Sequence, residues 1–340
     1  MEIVAPDSLA AGSRVSPLLA RGAGRGFGTA DRALLELGRT LKESGYRFTT
    51  VTPASHARVL SRAAKRPPSL ADIFGWSRPF AAGELSEKIL TLMADAGVLD
   101  IAGPAFCSNV RFSTIDGQMF IHSAFPTEQA DAVFFGPDTY RFVRFIRQFL
   151  GSTDRRGAGG PSRILDMGAG TGAGGLQAAE FVARSPLVVL ADVNQRALRF
   201  CKVNAALNSF ENVEIVESDL FASIDGDFDL ILSNPPYLID PMARTYRHGG
   251  GELGFELSLR IAEEGVSRLA PGGRLVLYTG SAIVDGVDLF HDALCSRLGS
   301  RGVEFHYEEI DPDVFGEELD CPPYDRADRI AVVSVTIEAD

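Results

Sequence analysis

Apolar residues recur at helical spacing through the first third of the chain and in short strand-length runs through the rest. Leu34, Leu37 and Leu41 fall on one face of a helix that the pattern starts at Thr29, read as its N-cap, and ends before Gly45. A second helix is expected over Ser55–Arg62, closed by the break KRPPS, after which Ser69 caps the short segment LADIFGW. Leu85, Ile89, Leu92 and Met93 mark a further helix from Glu84 to Ala96, with Gly97 as its stop. VRFSTIDGQMFIH then reads as two strands around an Asp116-Gly117 turn. Helices followed by a hairpin look like a winged-helix arrangement, a pattern that serves nucleic-acid binding, protein docking and substrate lids alike. The first 28 residues, rich in Gly, Ala, Ser and Arg, are expected to be flexible.

From about residue 131 the period changes. A helix over Asp138–Leu150 precedes a Gly/Ser/charged linker at 151–162, read as a surface loop. Strands SRILDM, LVVLAD, VEIVES, FDLILS and GRLVLYT follow, with helices GGLQAAEFVAR, Asn194–Asn208 and Glu256–Leu269 among them. Such alternation predicts a doubly wound, mainly parallel sheet of the Rossmann-like α/β class. VEFHYEEI and RIAVVSVTIE close the chain as an antiparallel pair, which brings the expected sheet to seven strands. The expected division is a flexible 1–28, a smaller, mainly helical domain with a β-hairpin at 29–130, and an α/β domain at 131–340.

Composition narrows the class. Hydrophobic residues make up 45% and charged residues 23% of the 340, which excludes a disordered or fibrous chain. No run of about 18 apolar residues is present, so no membrane span is expected. Glu2 and Asp7 interrupt what could be the apolar core of a signal peptide. Cys107, Cys201, Cys295 and Cys321 lie far apart without a C-x-x-C pair, which suits reduced thiols in a cytoplasm. His56, His122, His248, His291 and His306 show no ligand spacing, and no metal site is expected. Charge is unevenly spread: residues 1–130 carry 14 basic and 12 acidic side chains, residues 131–340 carry 19 and 33. Any nucleic acid would have to be held by the N-terminal part, because phosphate binding needs a basic surface.

The candidate chemistry begins at Asp166-Met167-Gly168-Ala169-Gly170-Thr171-Gly172, a strand running into a glycine loop. Glycines there let the backbone approach a ligand beside a helix N-terminus. Gly170-x-Gly172-x-x-Gly175 also satisfies the dinucleotide fingerprint, so a dehydrogenase is a competing reading. Asp192, at the end of the next strand, fits a ribose-binding carboxylate for either cofactor and also a helix N-cap. Asp166 two residues before the first glycine, and Asp219 after the third strand, resemble the arrangement of methyltransferase loops.

Asn234-Pro235-Pro236-Tyr237 after FDLILS decides between them. An amide or exocyclic NH2 is a poor nucleophile because its lone pair is delocalised. Asn234 Oδ1 and the Pro235 carbonyl can each accept one of its hydrogens, and Tyr237 offers a flat face to a planar group. Methyl transfer is then an in-line displacement that gains mainly from positioning and oriented dipoles.

From about residue 134 onward the chain resembles class I S-adenosylmethionine-dependent methyltransferases of the HemK type, which modify glutamine amides in proteins. Relatives acting on adenine amines share the NPPY motif. Pro137-Asp138-Thr139 is similar to the family's P-x-(D/E)-T segment, and HGGGELG at 248–254 to a later G-G-x-x-G stretch. The resemblance implies that Thr139, Asp166, Gly168, Gly170, Gly172, Asp192, Asp219 and Asn234 hold S-adenosylmethionine, with Asn234, Pro235 and Tyr237 at the acceptor. Two departures stand out: Tyr140 replaces an acidic residue of the glutamine enzymes, and residues 1–130 do not read as their short helical bundle. The expectation is therefore an N-methyltransferase for a planar amide or exocyclic amine of a protein or small molecule. An RNA or DNA amine methyltransferase is one alternative. A protein that cleaves or cyclises the cofactor, or serves as a non-catalytic interaction subunit, is another. YEEIDPDVFGEELD at 307–320, half of it acidic, is expected to overhang the substrate side of the sheet.

Overall fold

The computed structural model describes residues 26–62, 67–153, 160–182 and 185–339. The expected flexibility of residues 1–25, part of the KRPPS break and half of the 151–162 linker lie outside these described residues.

Helices α1 (Thr29–Glu43), α2 (Pro53–Leu60), α3 (Leu70–Phe74) and α4 (Glu87–Ala96) come first. Three starts differ from the sequence expectation. Gly28, not Thr29, occupies the N-cap of α1, without a side-chain hydrogen bond. Thr52 caps α2 by accepting the Ser55 N–H, so that Pro53 fills the first turn, where its missing N–H costs nothing. Ser86 caps α4, because the chain makes a separate 3₁₀ turn at Ala82–Glu84 before it. Ser69 caps α3 with Asp72 in a reciprocal capping box.

Two hairpins follow where one was expected. β1 (Leu99–Ala102) pairs with β2 (Ala105–Ser108), and β3 (Val110–Ile115) pairs with β4 (Gln118–Ser123). Asp116 and Gly117 both adopt positive φ, +48° and +84°, the tight-turn geometry that matches strand twist. The second hairpin is not a free wing, for its outer edge is taken by a helix of the α/β part.

That part runs α5 (Pro137–Thr153), β5 (Arg163–Met167), α6 (Ala173–Phe181), β6 (Leu187–Asp192), α7 (Gln195–Leu207), β7 (Val213–Glu217) and β8 (Phe228–Ser233). It continues through α8 (Glu256–Gly265), β9 (Leu269–Val284), β10 (Val287–Asp288), α9 (Leu289–Gly299), β11 (Phe305–Asp311) and β12 (Arg329–Glu338). The sheet order is β11-β12-β9-β8-β5-β6-β7, with the two-residue β10 added to β9. This is the expected seven-stranded sheet plus one short bridge. β5 to β9 are parallel, whereas β12 lies antiparallel between β9 and β11. α8 ends sooner than expected, because Leu269 already belongs to β9. α9, which the sequence pattern did not single out, buries Phe290, Leu294 and Leu298 along a stripe one residue wide.

α7 joins the two parts. Ala197, Phe200, Val203 and Leu207 pack into the core formed by Leu34, Leu37, Leu41 and Phe112. Cys201 and Ala205, on another side of the helix, pack with Leu176, Val188 and Leu190. Gly38 permits α1 to lie this close: a Cβ there would stand 2.9 Å from Leu207 Cδ2. Asn204 and Asn208, one turn apart, reach the free edge of β4. Asn208 Oδ1 accepts the Met119 N–H and its Nδ2 donates to the Met119 carbonyl, at 3.1 and 2.9 Å. Asn204 does the same for Ile121 at 2.8 and 3.2 Å, and its Nδ2 also donates to the Thr171 carbonyl of the glycine loop.

Asn204→Ala leaves three buried backbone groups without partners, and each such group costs about 1–3 kcal/mol. Urea unfolding of the variant is expected to show a loss of at least about 2 kcal/mol. An unchanged midpoint would mean that the hairpin is held by apolar packing alone.

Candidate active site

The order of strands dictates where a ligand can sit. The chain winds outward from β5 through β6 to β7, then returns to place β8 on the other side of β5. Loops leaving β5 and β8 therefore diverge from adjacent strand ends, which opens a crevice at the C-terminal edge of the sheet. The glycine loop and the NPPY segment are those two loops. Between them lies a cleft of about 1070 Å3, counted out to its open mouth.

Thr139, Asp166, Gly168, Gly170, Asp192, Asp219, Asn234, Pro235 and Pro236 line this cleft. Gly168 and Gly170 adopt φ of +71° and +55°, and a Cβ on either would meet no protein atom within 4 Å. The loop thus turns bare backbone to open space, which suits the close approach of a nucleoside. Gly172 does not line the cleft: a Cβ there would lie 2.9 Å from Leu190 Cδ1, so it is a packing position beneath the loop. Asp192 Oδ2 accepts the Gly170 N–H and Oδ1 the Asn194 N–H, both at 2.8 Å. It shapes the loop, then, as well as facing the cleft; the cap of α7 is Asn194, not Asp192. Thr139 Oγ1 accepts the Gly136 N–H at the start of α5. A bare glycine loop with carboxylates at the ends of two neighbouring strands fits a ribose and a cationic amino-acid moiety.

Burial raises the Asp166 carboxyl to about 7, against the opposing N–H of Gly175 at 2.7 Å and with help from nearby Asp192. Asp192 is itself raised by burial, opposed by the N–H groups of Asn194, Gly170 and Val193.

Beyond Asn234 the cleft passes into a smaller pocket of about 430 Å3 lined by Phe134, Asp138, Asn234, Pro235, Pro236, Tyr237, Leu238, Tyr246, Arg247 and Phe315. Phe134 and Tyr246 lie nearly parallel, 4° apart with ring centroids at 5.9 Å. Tyr237 is only 7% exposed. It seats against Gly280, where a Cβ would come within 2.3 Å of its ring, and meets Phe315 edge-on. Its ring is therefore a wall rather than the open face expected from the motif, and its buried hydroxyl makes no hydrogen bond. Asn234 Nδ2 donates to Asp138 Oδ2 at 3.3 Å. No hydrogen bond among the described residues takes Asn234 Oδ1 or the Pro235 carbonyl.

The segment after NPPY folds back over the pocket. Leu238 bridges His248, donating to the Arg247 carbonyl and accepting the Gly249 N–H, and a Cβ on Gly249 would overlap the Gly254 carbonyl, which requires glycine there. Asp240, buried and held down to about 2 chiefly by its hydrogen bonds from Arg244, anchors this loop. The acidic segment does overhang the acceptor side: Phe315 lines the pocket and Glu318 pairs with Arg247. Tyr140 points away from the site, its hydroxyl accepting the Thr50 N–H at 3.2 Å. Phe134, Tyr246 and Asp138 are pocket residues that the sequence reading did not assign. An aromatic pair just before Pro137-Asp138-Thr139 was the available signal. Among the described residues no group of three His, Cys, Asp or Glu side chains could hold a metal ion, and no helix is long and apolar enough to cross a membrane.

Residues 157–283 match the family described as methyltransferase small domain. A release factor glutamine methyltransferase of Deinococcus radiodurans is 36% identical over 166 residues, covering 46% of this chain and 55% of that protein. A putative protein N5-glutamine methyltransferase of Methanocaldococcus jannaschii is 37% identical over 117 residues, 32% of this chain and 57% of that protein. A ribosomal RNA small subunit methyltransferase C of Cronobacter sakazakii is 36% identical over 115 residues, 33% of this chain and 30% of that protein. The chain thus spans at most 57% of the length of these three relatives.

The value at Asp166 makes ligand binding pH-dependent. Raised from 3.8 to about 7 in the folded state, this carboxyl contributes stability to the ligand-free protein that is lost as pH rises through about 7. A cation in the cleft favours the ionised form instead. Affinity for S-adenosylmethionine is expected to rise with pH up to about 7 and to level off above it, with proton release over the rising range. Calorimetry in buffers of different ionisation enthalpy reads both. Asp166→Asn should flatten the profile, and a flat wild-type profile would remove Asp166 from the binding site.

Proposed function

We propose that this chain, whose α/β part is a class I, S-adenosylmethionine-dependent methyltransferase domain of the HemK type, methylates a side-chain amide nitrogen of a protein. One observation carries the reading. Asn234 Oδ1 and the Pro235 carbonyl stand unengaged at the junction of the glycine-loop cleft and the aromatic pocket. Thr139, Asp166, Gly168, Gly170, Asp192 and Asp219 hold the cofactor on one side of that junction. Phe134, Tyr246 and Phe315 hold the planar acceptor on the other, with Tyr237 supporting Phe315. S-adenosylmethionine, when bound, supplies a sulfonium methyl group whose carbon–sulfur bond breaks as the nitrogen–carbon bond forms, the nitrogen's proton leaving afterwards.

Each acceptor on this chain takes one hydrogen of the NH2 group and draws its lone pair out of conjugation. Asn234 then binds more strongly as positive charge grows on nitrogen, so its contribution falls on the transition state. The surrounding aromatic rings exclude water and limit rotation of a flat group. No group of perturbed pKa is needed to remove the proton before transfer.

A protein acceptor is favoured by charge. Residues 131–340 carry a net −14, and the acidic segment 307–320 overhangs the pocket with Phe315 and Glu318. Phosphates would be repelled at ranges up to about 10 Å at ordinary salt. The relatives named for glutamine methylation point the same way. An RNA amine is the second reading, motivated by the ribosomal RNA enzyme among the relatives. Residues 29–130 would select the target in either case. The four cysteines carry no disulfide, in keeping with a reducing cytoplasm.

A purified bacterial release factor, incubated with the protein and labelled S-adenosylmethionine, is expected to gain one methyl group on a glutamine, read by peptide mass spectrometry. Label in ribosomal RNA alone would establish the second reading. Asn234→Ala is expected to keep cofactor affinity and to lose about 100- to 1,000-fold in single-turnover rate, the effect of removing one oriented dipole. Undiminished turnover in a folded Asn234→Ala protein would reduce NPPY to a strand terminator.

A further inference from the structure

Asp138 is the second residue of α5 and only 6% exposed. Its carboxylate is engaged on both oxygens. Oδ1 accepts the hydroxyl of the fully buried Tyr278 of β9 at 2.9 Å, and Oδ2 accepts Asn234 Nδ2 at 3.3 Å. Burying a carboxylate is expensive, and a same-sized apolar side chain would fill the space at lower cost. The expense calls for a role.

We propose that Asp138 is a positioning residue for methyl transfer, holding the Asn234 amide with its NH2 turned inward and Oδ1 turned toward the acceptor nitrogen. This rests on the amide-methylation reading above. A side-chain amide is nearly symmetric in shape, and a half-turn exchanges its oxygen and nitrogen. With nitrogen outward, Asn234 would oppose the acceptor NH2 donor to donor, and transfer would fail. An ionised carboxylate can only accept hydrogen bonds, so it selects the NH2 side of Asn234. A protonated one can also donate, and the selection is lost. The same contact adds electron density to Oδ1, because hydrogen bonds in series strengthen one another in a low-dielectric interior.

The groups facing this carboxylate come from three elements. Tyr278 belongs to β9, and Asn234 and Tyr237 to the loop after β8, with the Tyr237 hydroxyl buried and unbonded. Arg141 lies one turn further along α5 and is paired with Asp311 at 3.3 Å. Burial raises the Asp138 carboxyl, while the hydrogen bonds from Tyr278 and Asn234 and the charge of Arg141 pull it down, with burial prevailing. As pH falls through this raised value the orientation of Asn234 is lost, so at saturating S-adenosylmethionine the acid limb of turnover belongs to Asp138.

Asparagine-selective 15N labelling tests the idea without any acceptor. The Nδ2 resonances of Asn234, assigned by their disappearance in Asn234→Ala, are expected to titrate in the wild type with a midpoint above that of an ordinary aspartate. Asp138→Asn should abolish that titration while S-adenosylhomocysteine still binds with little change. Where release factor methylation is observed, the same variant should lose about 10- to 100-fold in kcat with KM little altered, the worth of one hydrogen bond to a charged group. Its acid limb should vanish, and Asp138→Glu should recover part of the rate. Asn234 resonances indifferent both to pH and to Asp138→Asn would overturn the proposal. Should Asp138→Asn fail to fold, the wild-type titration alone decides. Absence of methylation with a titrating Asn234 would count against the protein-amide reading and not against the role of Asp138.

Discussion

Asn204 and Asn208 take both backbone groups of Ile121 and Met119, so α7 ends strand β4 as another strand would. Residues four apart on a helix and two apart on a strand have nearly matching rises, roughly 6 Å and 6.6 Å, and the correspondence lets two amides act as a ladder. An unpaired strand edge inside a protein would leave donors and acceptors stranded. The N-terminal hairpin can therefore lie against the α/β sheet only because α7 presents these amides. Asn204 goes further and holds the Thr171 carbonyl, which places the glycine loop in the same network.

The position of the site follows from the winding of the sheet. Once β8 inserts beside β5, the loops after both strands are forced apart, and whatever chemistry they carry is brought face to face. Asp166 and Asp192 shape one lip through backbone N–H groups of Gly175, Gly170 and Asn194. Asn234 forms the other lip, and α5 crosses behind it to bring Asp138 within reach. Tyr246 and Phe134 close the pocket from two separate loops, one after β8 and one before α5. That Tyr140 turns instead to Thr50 shows one helix serving the pocket with one residue and the N-terminal elements two positions later.

Local signals were legible where a residue type has a local reason. The parallel strands stood out because they are buried on both faces, and Asp116-Gly117 because few other pairs adopt two positive φ values in succession. The β1–β2 hairpin was missed because three residues of the four in β1 are exposed, so no alternation reveals it. α9 hides for a related reason, with an apolar stripe of single residues at Phe290, Leu294 and Leu298. Asp138 could be recognised as part of a motif but not assigned a task. Its partners are 96 and 140 positions away, and only the fold brings them together. Tyr237 shows the converse: a motif residue whose expected open face is consumed by packing against Gly280.

The double allegiance of α7 also bears on how such a chain can exchange its parts over evolutionary time. A recognition module tethered by a linker can be replaced in one recombination event, since nothing else depends on it. Here an incoming module would meet Phe200, Leu207, Asn204 and Asn208, residues encoded well inside the α/β part and fitted to Gly38 and the β4 edge. A crossover near residue 130 would separate both sides of that fit at once. Substitution is freer at positions outside both cores, such as Ile101 of β1, which is 80% exposed. The lineage can redecorate the surface of this part but can hardly trade the part away.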